Sequence, residues 1–189
     1  MGLLEGFAEL KHRISVHDYH RMGETGVLAP GARVELIEGE IFDRAPIGSR
    51  HASIVNRLNR TFVLAVGNRA IVQVQGPVRM GEHSEPEPDL TLLRPRADYY
   101  RELAPAAADV LLIVEVSDST QRYDRRVKVP LYARHGVPEV WVIDLENRLV
   151  HFHRGPSGDA YTDVSANGQP GATPVSALPG VAIDLAGLL

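Results

Sequence analysis

The stretch Val110-Leu111-Leu112-Ile113-Val114-Glu115-Val116 limits the fold more than any other in the chain. A nearly continuous apolar run of this length marks a central strand covered on both faces, because a strand with one wet face alternates instead. Glu115 interrupts it, and a buried carboxylate is expensive unless a cation or a metal compensates it. A second acid, Asp89, follows Pro88 and opens another apolar strand, Leu90-Thr91-Leu92-Leu93. Lys128 comes next, in a segment that reads as a helix over 123–135 closed by Gly136.

The remaining segments fill in an α/β pattern. Ser15 is positioned to cap a helix containing Val16 and Tyr19. Residues 34–42 alternate as a strand, with Gly39 marking a tight turn or a bulge, so a bent hairpin is one reading. Ile54, Val55, Leu58, Phe62, Ala65 and Val66 form a helical stripe over 50–66, with Ser49 as N-cap and Gly67-Asn68 as the stop. Residues 70–75 and 77–80 are extended, and 95–108 has room for a short helix. Residues 139–144 and 148–153 pair as a hairpin around Glu146-Asn147. Strands alternating with helices predict an α/β (α+β) domain with a mixed sheet. The expected division is a helical lead-in over 1–33, a core over 34–154, and a Gly/Pro-rich tail over 155–189. That tail either wraps the core or adds an edge strand near 181–185.

Composition narrows the function classes. The 189 residues permit one domain with a sizeable core, and a formal net charge of −4 excludes a polycationic nucleic-acid binder. The absence of cysteine excludes disulfides and thiolate chemistry and fits a cytoplasmic location. No apolar stretch reaches membrane-spanning length, and no membrane partner is expected.

Two strand-borne acids followed by a lysine suit metal-dependent phosphodiester hydrolysis. Mg²⁺ or Mn²⁺ takes hard oxygen ligands, usually one or two carboxylates plus waters and substrate phosphate. Asp89 and Glu115 supply them if their strands are adjacent, with the Val116 carbonyl as third candidate, and Lys128 would act on the attacking water. Each residue also has a plain structural reading. Asp89 suits an exposed turn, Glu115 a wet strand end, and Lys128 a surface ion pair with Asp124 four residues earlier. Pro130 either kinks this helix and aims Lys128 inward or marks a late helix start.

The ordered fragments Glu35-Leu36-Ile37-Glu38-Gly39-Glu40, His51, Pro88-Asp89-Leu90 and Val114-Glu115-Val116-Ser117 with Ser119-Thr120 resemble the Uma2 endonuclease family. Lys128-Val129-Pro130-Leu131-Tyr132-Ala133 and Gly136-Val137-Pro138-Glu139-Val140-Trp141 extend the resemblance, which runs over 35–154. The family is a branch of the PD-(D/E)XK nucleases. The resemblance implies a restriction-endonuclease-like mixed sheet flanked by helices, metal ligation by Asp89 and Glu115, and nucleic acid, above all DNA, as partner. Across that superfamily the lysine lies two residues after the second acid. Here Ser117 holds that position, and the family pattern moves the lysine to the next helix, at Lys128.

Further candidates are weaker. Glu38 and Glu40, two apart, would share a strand face as auxiliary acids, or sit at an exposed hairpin tip. His51, at a helix start, would touch phosphate or a metal-bound water, or do no chemistry. Glu87 either faces the same metal or solubilises the acidic loop that holds Glu82 and Glu85. Arg122, Arg125 and Arg126 form a phosphate-attracting patch or a solvated face. Tyr123 and Tyr132 read as core or rim residues, and Trp141 as a core or dimer-interface anchor. The pairs His17/His20 and His151/His153 lack a third ligand nearby in sequence. Two functions fit: a Mg²⁺- or Mn²⁺-dependent endonuclease, or a nuclease fold kept for nucleic-acid or protein binding with little turnover.

Overall fold

The computed structural model describes residues 10–118 and 123–189. Ser119, Thr120 and Arg122, named above, lie outside the described residues. A six-stranded mixed sheet organises the chain. In chain order its strands are β3 (Ile71–Val74), β4 (Leu90–Leu93), β5 (Val110–Ser117), β6 (Glu139–Asp144), β7 (Leu149–Ser157) and β8 (Ala160–Asn167). They lie side by side in that same order. Only β5 and β6 run parallel, and a parallel pair needs a crossover connection. The crossover ends in a π-helical turn, Asp124–Lys128, that runs into helix α3 (Val129–Arg134).

Two layers cover the sheet. Helix α2 (Ser49–Val66) packs Val55, Leu58 and Phe62 onto Leu112, Val114 and Val116 of β5. Helix α3 packs Val129, Leu131 and Tyr132 with Ile113, Val140 and Val142 on the opposite face. Every residue of β5 is buried, as the apolar run demands. Because side chains alternate across a strand, Glu115 falls on the α3 side, with Ile113. Helix α1 (Val16–Glu24) is capped by Ser15, whose side chain accepts from the Asp18 N–H.

Several local expectations need correction. The N-cap of α2 is Gly48, and Ser49 is already helical. Residues 95–108 hold no α-helix, only a single 3₁₀ turn beginning at Ala107. The sheet's last strand is β8, which the Gly/Pro-rich composition after residue 155 concealed. Ala182–Asp184 pairs instead with Ala172–Pro174 in a separate ribbon, and Ile183 and Leu185 from this region join the α2 core. Trp141 is fully buried between Phe62 and Phe152, so its ring is core and not available to a dimer interface.

The hairpin β1 (Val34–Ile37) and β2 (Glu40–Asp43) turns through Glu38 and Gly39, at φ 53° and 82°. Two consecutive positive φ values suit a two-residue hairpin loop. A Cβ on Gly39 would lie 2.7 Å from the Arg13 Cβ, so glycine is required twice over at this position.

Candidate active site

Antiparallel register brings the two acids together. Leu90 pairs with Val114, and extending that ladder by one residue sets Asp89 across from Glu115. Asp89 sits just before β4 begins, and its carboxylate replaces a ladder partner. Its Oδ2 accepts from the Val116 N–H at 2.9 Å. The same oxygen lies 3.0 Å from His51 Nε2, while Gln75 Nε2 donates to Oδ1 at 3.2 Å. Gln75 also donates its backbone N–H to the Asp89 carbonyl from a left-handed conformation, φ 48°. Burial pushes the Asp89 carboxyl up, but His51, the Val116 N–H and Gln75 outweigh it and leave the pKa below the usual value. His51 is correspondingly raised, chiefly by its hydrogen bond to Asp89, with burial opposing.

Glu115 is held from the α3 side. Tyr132 donates its hydroxyl to Glu115 Oε1 at 2.6 Å, and Lys128 Nζ lies 3.3 Å from the same oxygen. Lys128 and Tyr132 are four apart, so a helical backbone sets them on one face. The second counter-charge of Lys128 is Glu35 on β1, at 3.1 Å. Burial pushes Glu115 up to about 8, against the pull of Lys128. Burial acts to lower Lys128, yet Glu115 and Glu35 overcome it and hold the amine charged, above the ordinary lysine value. Both directions hold together because Lys128 has two carboxylates to answer.

Local backbone explains how a helical lysine reaches this point. Pro130 has no N–H to give and sits in the first turn of α3, but the backbone is already helical from Tyr123, so the proline follows a π turn and does not mark a late helix start. Upstream the chain widens into the π turn, closed by the Val129 N–H on the Asp124 carbonyl. Asp124 and Lys128 at its two ends are buried, whereas Arg125 and Arg126 between them are exposed. Ser117, in the superfamily's lysine position, donates its hydroxyl to Asp124 at 2.6 Å.

Glu35, Asp89, Glu115, Lys128, His51 and Gln75 all line one cleft of about 210 Å³. Glu38 and Glu40 do not reach it. The turn at Glu38 breaks the strand, so the two acids do not share a face. Glu38 pairs with Arg13 and Arg134, and Glu40 with Lys11, all exposed. Glu87 is taken by Arg44, although its backbone N–H donates to Glu35 at 3.2 Å. Glu85, expected in a solvated loop, is buried against His20 at 2.5 Å. His17 remains exposed, so the His17/His20 pair diverges. His151 and His153 do share a buried face. Among the described residues no group of three or more His, Asp or Glu side chains is placed to hold a metal ion.

Glu35 and Gln75 are the residues that sequence reasoning missed, and Tyr132 was assigned only to packing. The available signal was energetic: a lysine buried beside one acid needs further compensation, and Glu35 stands inside the Val34–Ile37 strand.

The Uma2 family model, described as "Putative restriction endonuclease", matches residues 16–186. The chain belongs to the Uma2 family. Comparison with curated proteins finds no significant match. A solved structure from Anabaena variabilis, described as a "putative nuclease belonging to DUF820", superposes with a TM-score of 0.69 at 18% identity. The match covers 91% of this chain and 95% of the other, which establishes a shared fold. The Uma2 match begins at the first residue of α1 and ends beyond the β9–β10 ribbon (β9 Ala172–Pro174, β10 Ala182–Asp184). Residues 16–33 and 155–186 therefore fall inside the family match.

Proposed function

We propose that the protein is a divalent-metal-dependent endonuclease that hydrolyses phosphodiester bonds in DNA, with Asp89, Glu115 and Lys128 as its catalytic residues. The observation that carries this reading is the Asp89–Glu115 register with Lys128 3.3 Å from Glu115. The donors that would hold a hard cation are the two carboxylates on adjacent strands with Val116 beside them in the cleft; no third acid or imidazole joins them among the described residues, so waters and substrate phosphate would complete the shell. Mg²⁺ or Mn²⁺ bound there supplies charge neutralisation at the phosphate and a more acidic water. The chain's own residues do the rest. His51, Gln75 and the Val116 N–H fix the Asp89 carboxylate in its ionised form, ready to ligate. Tyr132 and Lys128 orient Glu115 from the helix side. Lys128, kept as an ammonium by Glu35, neutralises charge developing on the phosphate oxygens. A cytoplasmic location goes with this reading.

Plasmid and oligonucleotide cleavage with Mg²⁺, Mn²⁺ or EDTA tests it, with Asp89→Ala as control. Cleavage should require the metal and vanish in the variant. Activity that survives both the chelator and the substitution rejects the assignment, and tight metal-independent binding without turnover favours the binding-module reading.

A further inference from the structure

Strand β5 touches the π turn at two points. Ser117, fully buried at the end of β5, donates its hydroxyl to Asp124 Oδ2 at 2.6 Å. Glu115, two residues earlier, receives Lys128 Nζ at 3.3 Å. Residues two apart on a strand share a face, so both contacts are made from the α3 side. The two contacts run antiparallel: the later strand residue meets the first residue of the turn, and the earlier one meets the last. Their spans agree, because two strand residues cover about 6.6 Å and four helical residues rise about 6 Å. One strand therefore grips the turn at both ends.

A π turn closes its hydrogen bond one residue later than an α turn, and such turns are rare and concentrated at functional sites. Downstream, Val129, Leu131, Tyr132 and Ala133 are fixed in the core. Upstream, the Ser117 hydroxyl holds the Asp124 carboxylate. With both ends pinned, the residues between them take the wide turn. Lys128, at its junction with α3, then reaches inward to Glu115 and Glu35, while Arg125 and Arg126 face solvent. Freed at Ser117, the turn can tighten to ordinary α-helix, and the lysine is no longer set from both sides.

We propose that Ser117 and Asp124 are positioning residues for Lys128: their hydrogen bond keeps the turn wide and so holds the amine against Glu115 in the cleft. The consequence for cleavage rests on the nuclease reading, whereas the clasp itself can be tested without it.

Lysine occurs in this chain only at positions 11 and 128. The Lys11 side chain is 52% exposed and that of Lys128 only 6%. Reductive methylation of the full folded chain, read by mass spectrometry, therefore reports Lys128 against Lys11 with no assay of activity. Ser117→Ala should raise the relative labelling rate of Lys128 on the order of tenfold, the effect of losing a hydrogen bond to a charged group on a local opening equilibrium. Ser165→Ala, exposed on β8, should leave it unchanged. Circular dichroism confirms that each variant is folded during labelling. With Mn²⁺ and plasmid DNA, Ser117→Ala should lower kcat by roughly ten- to a hundredfold and leave KM close to wild type, as a displacement of about 1 Å does. Unchanged Lys128 labelling in folded Ser117→Ala overturns the proposal, whatever the cleavage result. Faster labelling with wild-type kcat upholds the clasp and removes Lys128 from the nuclease reading. A wild type that cleaves nothing removes that reading and leaves the labelling to decide the clasp.

Discussion

Glu115→Gln should separate stability from activity. The substitution keeps the shape and an acceptor for the Tyr132 hydroxyl, but removes the charge. Burial raises the folded-state pKa of Glu115 to about 8 from an ordinary 4.5. Between those values the folded chain binds a proton that the unfolded chain has released, so stability falls as pH rises through this window. At 1.36 kcal/mol per pH unit the limit is about 5 kcal/mol at pH 8 and above. The pull of Lys128 is already contained in that value, and Lys128 keeps Glu35 at 3.1 Å in the variant; relaxation and water penetration around a buried carboxylate bring the gain below the limit. We therefore expect Glu115→Gln to be about 1–3 kcal/mol more stable than wild type at pH 8 in EDTA. For a chain of this size that is roughly 3–10 °C in Tm. The difference should shrink towards zero as pH falls to 5, and cleavage should be lost at every pH. Thermal melts across pH 5–9 supply the readout. A variant less stable than wild type at pH 8, or a difference independent of pH, refutes the idea that Glu115 holds an unfavourable buried charge.

Two further outcomes follow from the same coordinates. Glu139 is fully buried and accepts from Trp141 Nε1, Arg154 Nε and the Ser176 N–H, tying the C-terminal region to the sheet. Glu139→Ala strands those donors and should cost about 3–5 kcal/mol in a denaturant melt, and a loss below ~1 kcal/mol would show the network to be dispensable. Glu38→Ala with Glu40→Ala removes only exposed ion pairs, so Tm should move by the equivalent of about 0.5 kcal/mol or less and cleavage should persist. Loss of cleavage in that double variant would restore both acids to the site.

The chain's local chemistry was legible where one physical requirement dominated. The unbroken apolar run predicted β5 as a strand buried on both faces, and it is. Ser15, Gly39 and Gly136 were legible because capping and positive φ admit few residue types. Strand β8 was hidden because Ala160–Asn167 is an edge strand, exposed along most of its length, whose pairing to β7 supplies what its side chains do not. Glu38 and Glu40 misled because a period-two argument assumes a continuous strand, and the turn at Glu38-Gly39 reverses the chain between them. Glu35 was passed over for the opposite reason. Beside an apolar neighbour it looks like the wet side of an alternating strand, and its burial comes from what lies above that face.

By itself the sequence determined the central elements, such as β5 and α2, and the order of the charged groups, since helix period, strand alternation and the cost of burying Glu115 are local or nearly local facts. Only the tertiary structure decided which acids meet. Register between β4 and β5 set Asp89 opposite Glu115, and the crossover carried Lys128 back over the same face. The hairpin then brought Glu35 to the amine across 93 residues of chain, counted from the two positions of that ion pair. Contacts of such separation depend on how layers stack, and a buried cation draws in whichever carboxylate the stacking makes available.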